Sequence, residues 1–241
     1  VLVVDKLPES QRFYGFVLQT LIIGIGTWVA SNLPWFVNSV LGVSNDAAPG
    51  VVPYSVRIAF AIGAFVFLAS VLFTVFSTSE YPPEDIERFK AESAQGNVFG
   101  DILHHVRHMP AQMLKLGFVQ FFSWFAFFTM WSLATPALTE HVFKAPAPDP
   151  SAFDMAVPAQ AEAFQAANGA FQSAADLVGS YMGFYGLSSM LVALLLSFYA
   201  ARFVLNCRLV HFISLTLGGI GFLSMFYVSE PNMLMLSFAL I

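Results

Sequence analysis

Lys115 to Glu140 reads KLGFVQFFSWFAFFTMWSLATPALTE, and no charged side chain falls between its two ends. A helix needs about 20 predominantly apolar residues to cross a hydrocarbon core ~30 Å thick, at 1.5 Å per residue. The stretch exceeds that length, so it predicts a membrane-spanning helix. Four more uninterrupted apolar runs of the same kind lie between Arg12 and Asp46, Arg57 and Glu80, Asp176 and Arg202, and Arg208 and Glu230. The run from Pro231 to Ile241 covers only about 16 Å at that rise, a span cut short. Val1 to Val4 would fit the tail of another. The expected fold class is all-α, a polytopic transmembrane helix bundle.

Composition supports lipid as the solvent. Only 10% of the 241 residues are charged, against roughly 25% in an ordinary soluble domain. Hydrophobic residues make up 57%, with 27 phenylalanines and a mean hydropathy of +0.70. A net charge of −5 argues against nucleic acid as a partner. Cys207 stands alone, so no intrachain disulfide is possible and a space-filling role is expected. The chain starts at Val1, shows no signal-peptide pattern and stops inside an apolar run, and so reads as an excerpt of a longer one.

Orientation follows from Lys and Arg, which are retained on the cytoplasmic side. Alternating the spans puts Lys6, Arg12, Arg88, Lys90, Arg107, Lys115, Arg202 and Arg208 on one side and only Arg57 and Lys144 on the other. The first side is therefore expected to be cytoplasmic. The charge-rich stretch from Ser77 to Lys115 then joins two membrane blocks inside the cell. Tyr81-Pro82-Pro83-Glu84-Asp85 should end the preceding span and open a short polar helix. Gly96 and Gly100 should break that helix, and Asp101 should cap the next turn. Pro110 suits the first turn of the helix that follows. On the opposite side, Ala145-Pro146-Ala147-Pro148-Asp149-Pro150 is too Pro-rich for helix. The Ala/Gln segment from Pro158 should be helical and run into the fourth span.

No constellation for hydrolysis, nucleotide binding or redox chemistry is present, so no enzymatic activity and no cofactor are expected. Gly24-Ile25-Gly26 lacks the preceding strand and third glycine of a dinucleotide loop. His104, His105 and His108 include a pair four apart on one helical face, but no Cys or carboxylate sits at ligand spacing. They read as solvated histidines on an amphipathic helix whose apolar face is Ile102, Val106, Met109 and Met113, with no metal implied.

Polar groups inside spans carry the information, since each costs free energy unless it is paired or wet. In the first span Gly15, Gln19, Gly26 and Ala30 share a face, which fits either tight packing with an interhelical hydrogen bond or the wall of a polar cavity. Asn32, near the far end on roughly the opposite face, reads as interfacial. In the third, Gln120, Trp124, Phe127 and Trp131 share a face with Ser123 adjoining. Aromatic rings can cover the C–H faces of a pyranose while amides and indole N–H groups take its hydroxyls. On spacing alone these aromatics fit lipid somewhat better than a cavity, with Trp131 in the interfacial belt. The fourth span offers Tyr181, Tyr185 and Ser188 on one face, with Gly179 and Gly183 set for close helix packing. Gly218, Gly219 and Gly221 permit similar approach in the fifth, where His211 reads as interfacial.

Three stretches together resemble the sucrose and maltose transporters of the glycoside–pentoside–hexuronide type within the major facilitator superfamily. They are Asp5-Lys6-Leu7-Pro8-Glu9-Ser10-Gln11-Arg12, Glu80-Tyr81-Pro82-Pro83-Glu84-Asp85, and Met109 to Phe143 with its Gln120-Phe121-Phe122-Ser123-Trp124-Phe125-Ala126 core. The resemblance implies that residues 1–79 hold the last two helices of an amino-terminal bundle and 80–115 a cytoplasmic linker. Residues 116–241 would be the first helices of a carboxy-terminal bundle, with an extracytoplasmic loop over 140–176. It implies a plasma (inner) membrane symporter that moves a di- or oligosaccharide by alternating access, coupled to a proton or another cation. The remaining helices of the same transporter would be its partners. It makes Gln120 and Trp124 cavity residues, with Gln19, Trp131 and Tyr185 as further lining. The loop from Arg202 to Arg208 is less basic than the family's pattern, and no acidic residue lies inside any complete apolar run. The rival expectation is a membrane receptor or sensor that binds sugar without moving it.

Overall fold

A computed structural model describes residues 6–45, 47–48, 50–79, 87 and 98–241. Among the described residues the helices are α1 (Glu9–Ser39), α2 (Tyr54–Ser77), α3 (Val98–Arg107), α4 (Ala111–His141), α5 (Pro158–Ala200), α6 (Cys207–Tyr227) and α7 (Pro231–Leu240), with a 3-10 turn at Pro150–Ala152. Among the described residues there is no strand. Helices α1, α2, α4, α5 and α6 are each long and apolar enough to cross a membrane. The protein is an all-α integral membrane protein, and each expected span falls on one of these helices. The Tyr81–Asp85 stretch, Arg88, Lys90 and Gly96 lie outside the described residues.

The helices survive in an apolar medium because their polar side chains bond to their own backbones. Thr20 donates to the Phe16 carbonyl, Ser123 to Val119, Thr129 to Phe125 and Thr216 to Phe212, all at 2.8–3.0 Å. Pro34 and Pro136 sit inside α1 and α4. Near the second, the Thr139 hydroxyl donates to the Thr135 and Pro136 carbonyls at 2.9 and 3.1 Å, so it too is paired with its own helix.

The chain divides into two compact units, one of Val1–Gly63 with Ala134–Ile241, the other Ala64–Leu133. In the first, α1 packs along α5 through small residues. A Cβ on Gly24 would lie 2.5 Å from the Gly186 carbonyl oxygen, and one on Gly186 would lie 2.9 Å from the Thr27 Cβ. Gly183 rests against Ser31 and Trp28, and Gly179 against the Ser31 backbone. The glycines of α5 thus pack as expected, but on α1 the packing stripe is Gly24, Thr27 and Ser31. Gly26 has nothing within 4 Å. Asn32 bonds to the Trp28 carbonyl at 2.8 Å and lies beside Gly183. Helix α7 packs on α5 and α6, burying Leu234, Ser237 and Phe238. Ser224 donates to Ser237 at 2.8 Å, and Gly221 is the glycine of α6 that lets α7 approach; Gly219 faces open space.

The second unit comprises residues 64–133 and includes α3. Gly100 and Asp101 lie inside α3, so the first does not break a helix and the second does not cap one. Ile102, Leu103 and Val106 stay exposed along it. His104 and His108 stack with ring centroids 4.1 Å apart, and His108 Nδ1 lies 2.8 Å from the His104 carbonyl oxygen.

The seam makes a direct prediction. Gly186→Leu drives a side chain into Thr27 and should lower the thermal midpoint in detergent, with overpacking strain on the order of 1–3 kcal/mol. Gly26→Leu, on the open side of the same pair, should leave the midpoint unchanged or raise it, since Leu favours helix over Gly by up to about 1 kcal/mol.

Candidate functional site

The aromatic face of α4 is assembled within one helix. Trp124 meets Phe127, Phe128 and Trp131 at ring-centroid distances of 6.3, 6.0 and 6.1 Å, and Phe128 meets Trp131 edge-on at 5.4 Å. Such spacings follow from positions three, four and seven apart, which stack on neighbouring turns. Trp124 is 51% exposed and Trp131 39%. Gln120 is exposed one turn before Trp124, and among the described residues its amide has no hydrogen-bond partner. Ser123, expected beside this face, has its hydroxyl committed to Val119.

Burial on α4 is confined to its later turns, at Met130, Ala134, Leu138 and Thr139. At 100° per residue Gln120, Trp124, Phe127 and Trp131 share one side of the helix. Phe118, Phe121 and Phe125 occupy the opposite side, each more than 60% exposed. The amide–indole stripe and the phenylalanine stripe thus occupy different sides of α4.

The other expected lining residues do not join the stripe. Gln19 is exposed on α1, on a face turned away from the Gly24–Thr27–Ser31 seam, and among the described residues its amide is also unpartnered. Tyr185 is half-buried on α5, likewise off the glycine face. A hollow of about 360 Å³ separates α1, α5 and α6 near one end, walled by Phe13, Phe16, Leu196 and Val210 with His211 and Ser214 on its rim. Cys207 opens onto the same hollow and is exposed, so it does not fill space in a core.

Sequence reading missed a polar tie at the opposite end of α1. Asn45 donates to Asp176 at 2.9 Å and accepts a hydrogen bond from the fully buried Ser55. This ties the loop after α1 and the start of α2 to α5, across 131 residues of sequence. The sequence carries no local signal for it: Asn45 and Ser55 are ten residues apart and Asp176 far along the chain, with no periodicity linking them. The Pro-rich loop beside it is shaped by Asp149, whose carboxylate accepts from the Ser151 N–H at 2.9 Å and its hydroxyl at 2.8 Å. Those two bonds hold the Asp149 pKa below its ordinary value. The sign is that of a depressed acid: the turn keeps its bonds above the ordinary carboxylate pKa and loses them only as pH falls through the lowered one.

No family model, no curated protein and no solved structure matched the chain.

The tie predicts a local effect. Asn45→Ala leaves the Asp176 carboxylate and the Ser55 hydroxyl without their partner. That should cost about 1–3 kcal/mol and speed amide hydrogen exchange over residues 42–55 more than in α6. Equal exchange in both segments would mean the tie holds nothing in place.

Proposed function

We propose that the chain is part of a secondary active transporter that carries a neutral di- or oligosaccharide across the membrane by alternating access. The observation that carries the reading is the stripe on α4: an unpartnered amide and two indoles on one side of the helix, spaced one and then two turns apart. Sugar recognition needs flat apolar rings for C–H faces and a few placed donors and acceptors for hydroxyls, and the stripe supplies both. Its neutrality fits an uncharged solute.

A second feature supports movement. Alternating access requires two helix groups that rock about a close contact. In the reading drawn from the resemblance, α1 precedes the cytoplasmic linker and α5 follows it, so the glycine seam joins a helix of one bundle to a helix of the other. A seam of glycine, serine and threonine makes few interlocking side-chain contacts and lets the backbones slide as well as approach. Coupling to a proton or another cation belongs to the proposal, although the apolar runs of this chain contain no carboxylate to bind one. The inner membrane, with residues 80–115 on the cytoplasmic face, is the location the basic residues favour.

Sucrose and maltose uptake into proteoliposomes of the full-length protein tests the reading. Trp124→Ala and Gln120→Leu should each raise the apparent KM about tenfold, which corresponds to ~1.4 kcal/mol of lost contact. Trp124→Phe should recover part of the loss, and Phe121→Ala on the opposite face should change nothing. Unaltered KM in both site variants would take α4 out of the binding site.

A further inference from the structure

Helix α5 is 43 residues long, about 64 Å at 1.5 Å per residue, twice what a ~30 Å hydrocarbon core needs. Its apolar part is Leu177–Ala200, so the segment from Pro158 to Asp176 stands clear of the hydrocarbon. That projecting half bears two adjoining hollows of about 320 and 120 Å³, which share Ala47, Ala48, Phe164 and Asn168 in their walls. The loop after α1 closes one side, and Pro148 and Pro150 of the Pro-rich loop close another. The first loop is tied to α5 by the Asn45 bond to Asp176, and the second has its turn shaped by the Asp149 bonds to Ser151.

The lining has a definite chemistry. Gln165, Asn168 and Gln172 recur at intervals of three and four along one face of α5, and among the described residues none of their amides has a hydrogen-bond partner. Phe164 is only 5% exposed and is braced edge-on by Phe153 at 5.5 Å, so the hollow's aromatic wall is rigid. Neither hollow is lined by a charged residue among those described. Among the described lining residues an ionic ligand would find no counter-charge, and a purely apolar one would leave three amides unpaired. A hydroxyl-bearing neutral molecule satisfies amide donors and acceptors alike, and the larger hollow sits at the lower end of the ~300–1,000 Å³ usual for ligand pockets.

We propose that the projecting half of α5 forms a second binding site, outside the membrane, for a neutral sugar, which Gln165, Asn168 and Gln172 recognise through its hydroxyls. The sugar class rests on the transport reading. The site itself rests on the hollows and their amides, and it would gather substrate at the mouth of the pathway.

Calorimetric titration of the full-length protein in nanodiscs with sucrose and with maltose tests this. Wild type should bind at two sites per chain. Asn168→Leu with Gln172→Leu should remove one binding event while leaving the Trp124-dependent one, and Trp124→Ala should do the reverse. Hydrogen exchange on the unmodified protein guards against misfolded variants: saturating sugar should slow exchange at least tenfold in residues 158–172. If the double variant binds as wild type does, or exchange there is unchanged, the vestibule site is overturned whatever becomes of α4. If Trp124→Ala alone is silent, the α4 reading falls and the vestibule stands. Equal affinity for gluconate, a charged analogue, would overturn recognition by neutral amides.

Discussion

The α1–α5 contact depends on the absence of side chains. Backbone oxygen of Gly186 and the α-carbon of Gly24 approach so closely that a single methyl group on either helix would overlap the other. In lipid there is no hydrophobic drive to press helices together, because acyl chains are as apolar as leucine. Association has to come from dispersion between closely fitted surfaces, which fades over a fraction of an ångström. Glycine, serine and threonine supply that fit here, and α7 repeats the device on α6 at Gly221, with the Ser224–Ser237 hydrogen bond added.

The same solvent explains the surface. Phe60, Phe65 and Phe76 on α2 are more than 70% exposed, as are Phe226 and Tyr227 at the end of α6. In water such a surface would drive aggregation; against acyl chains or neighbouring helices it costs nothing. What a bilayer does forbid is an unpaired polar group, and the hydroxyls of Thr20, Ser123, Thr129 and Thr216 meet that condition by bonding one turn back along their own helices.

The spans were legible because charge alone delimits them: lipid excludes Asp, Glu, Lys and Arg so strongly that the gaps between them locate each helix. The helical Ala/Gln segment that carries α5 beyond the membrane was legible for a similar reason, since nothing after Pro158 breaks a helix. The choice of packing glycine was not. Gly24 and Gly26 are equivalent in composition, and only the partner's surface decides that the first packs and the second does not. The Asn45–Asp176 tie was hidden because its ends lie far apart in the chain, and periodicity speaks only of one helix at a time. The grouping of Gln120, Trp124 and Trp131 was visible as spacing. The ring contacts within it followed from that spacing, whereas what the stripe faces does not follow from one helix alone.

Within that stripe Gln120 bears on the chemistry more than the indoles do. A tryptophan is at ease against lipid, against protein or in a wet cavity, so its position discriminates little. A primary amide is not. Transfer of such a group from water to hydrocarbon without a hydrogen bond costs about 4–8 kcal/mol, and Ser or Thr escape that cost only because their short side chains reach the preceding turn. Gln120 makes no such bond among the described residues. A lone amide in an apolar run therefore needs a polar partner from outside its own helix, where a hydroxyl of Ser or Thr does not.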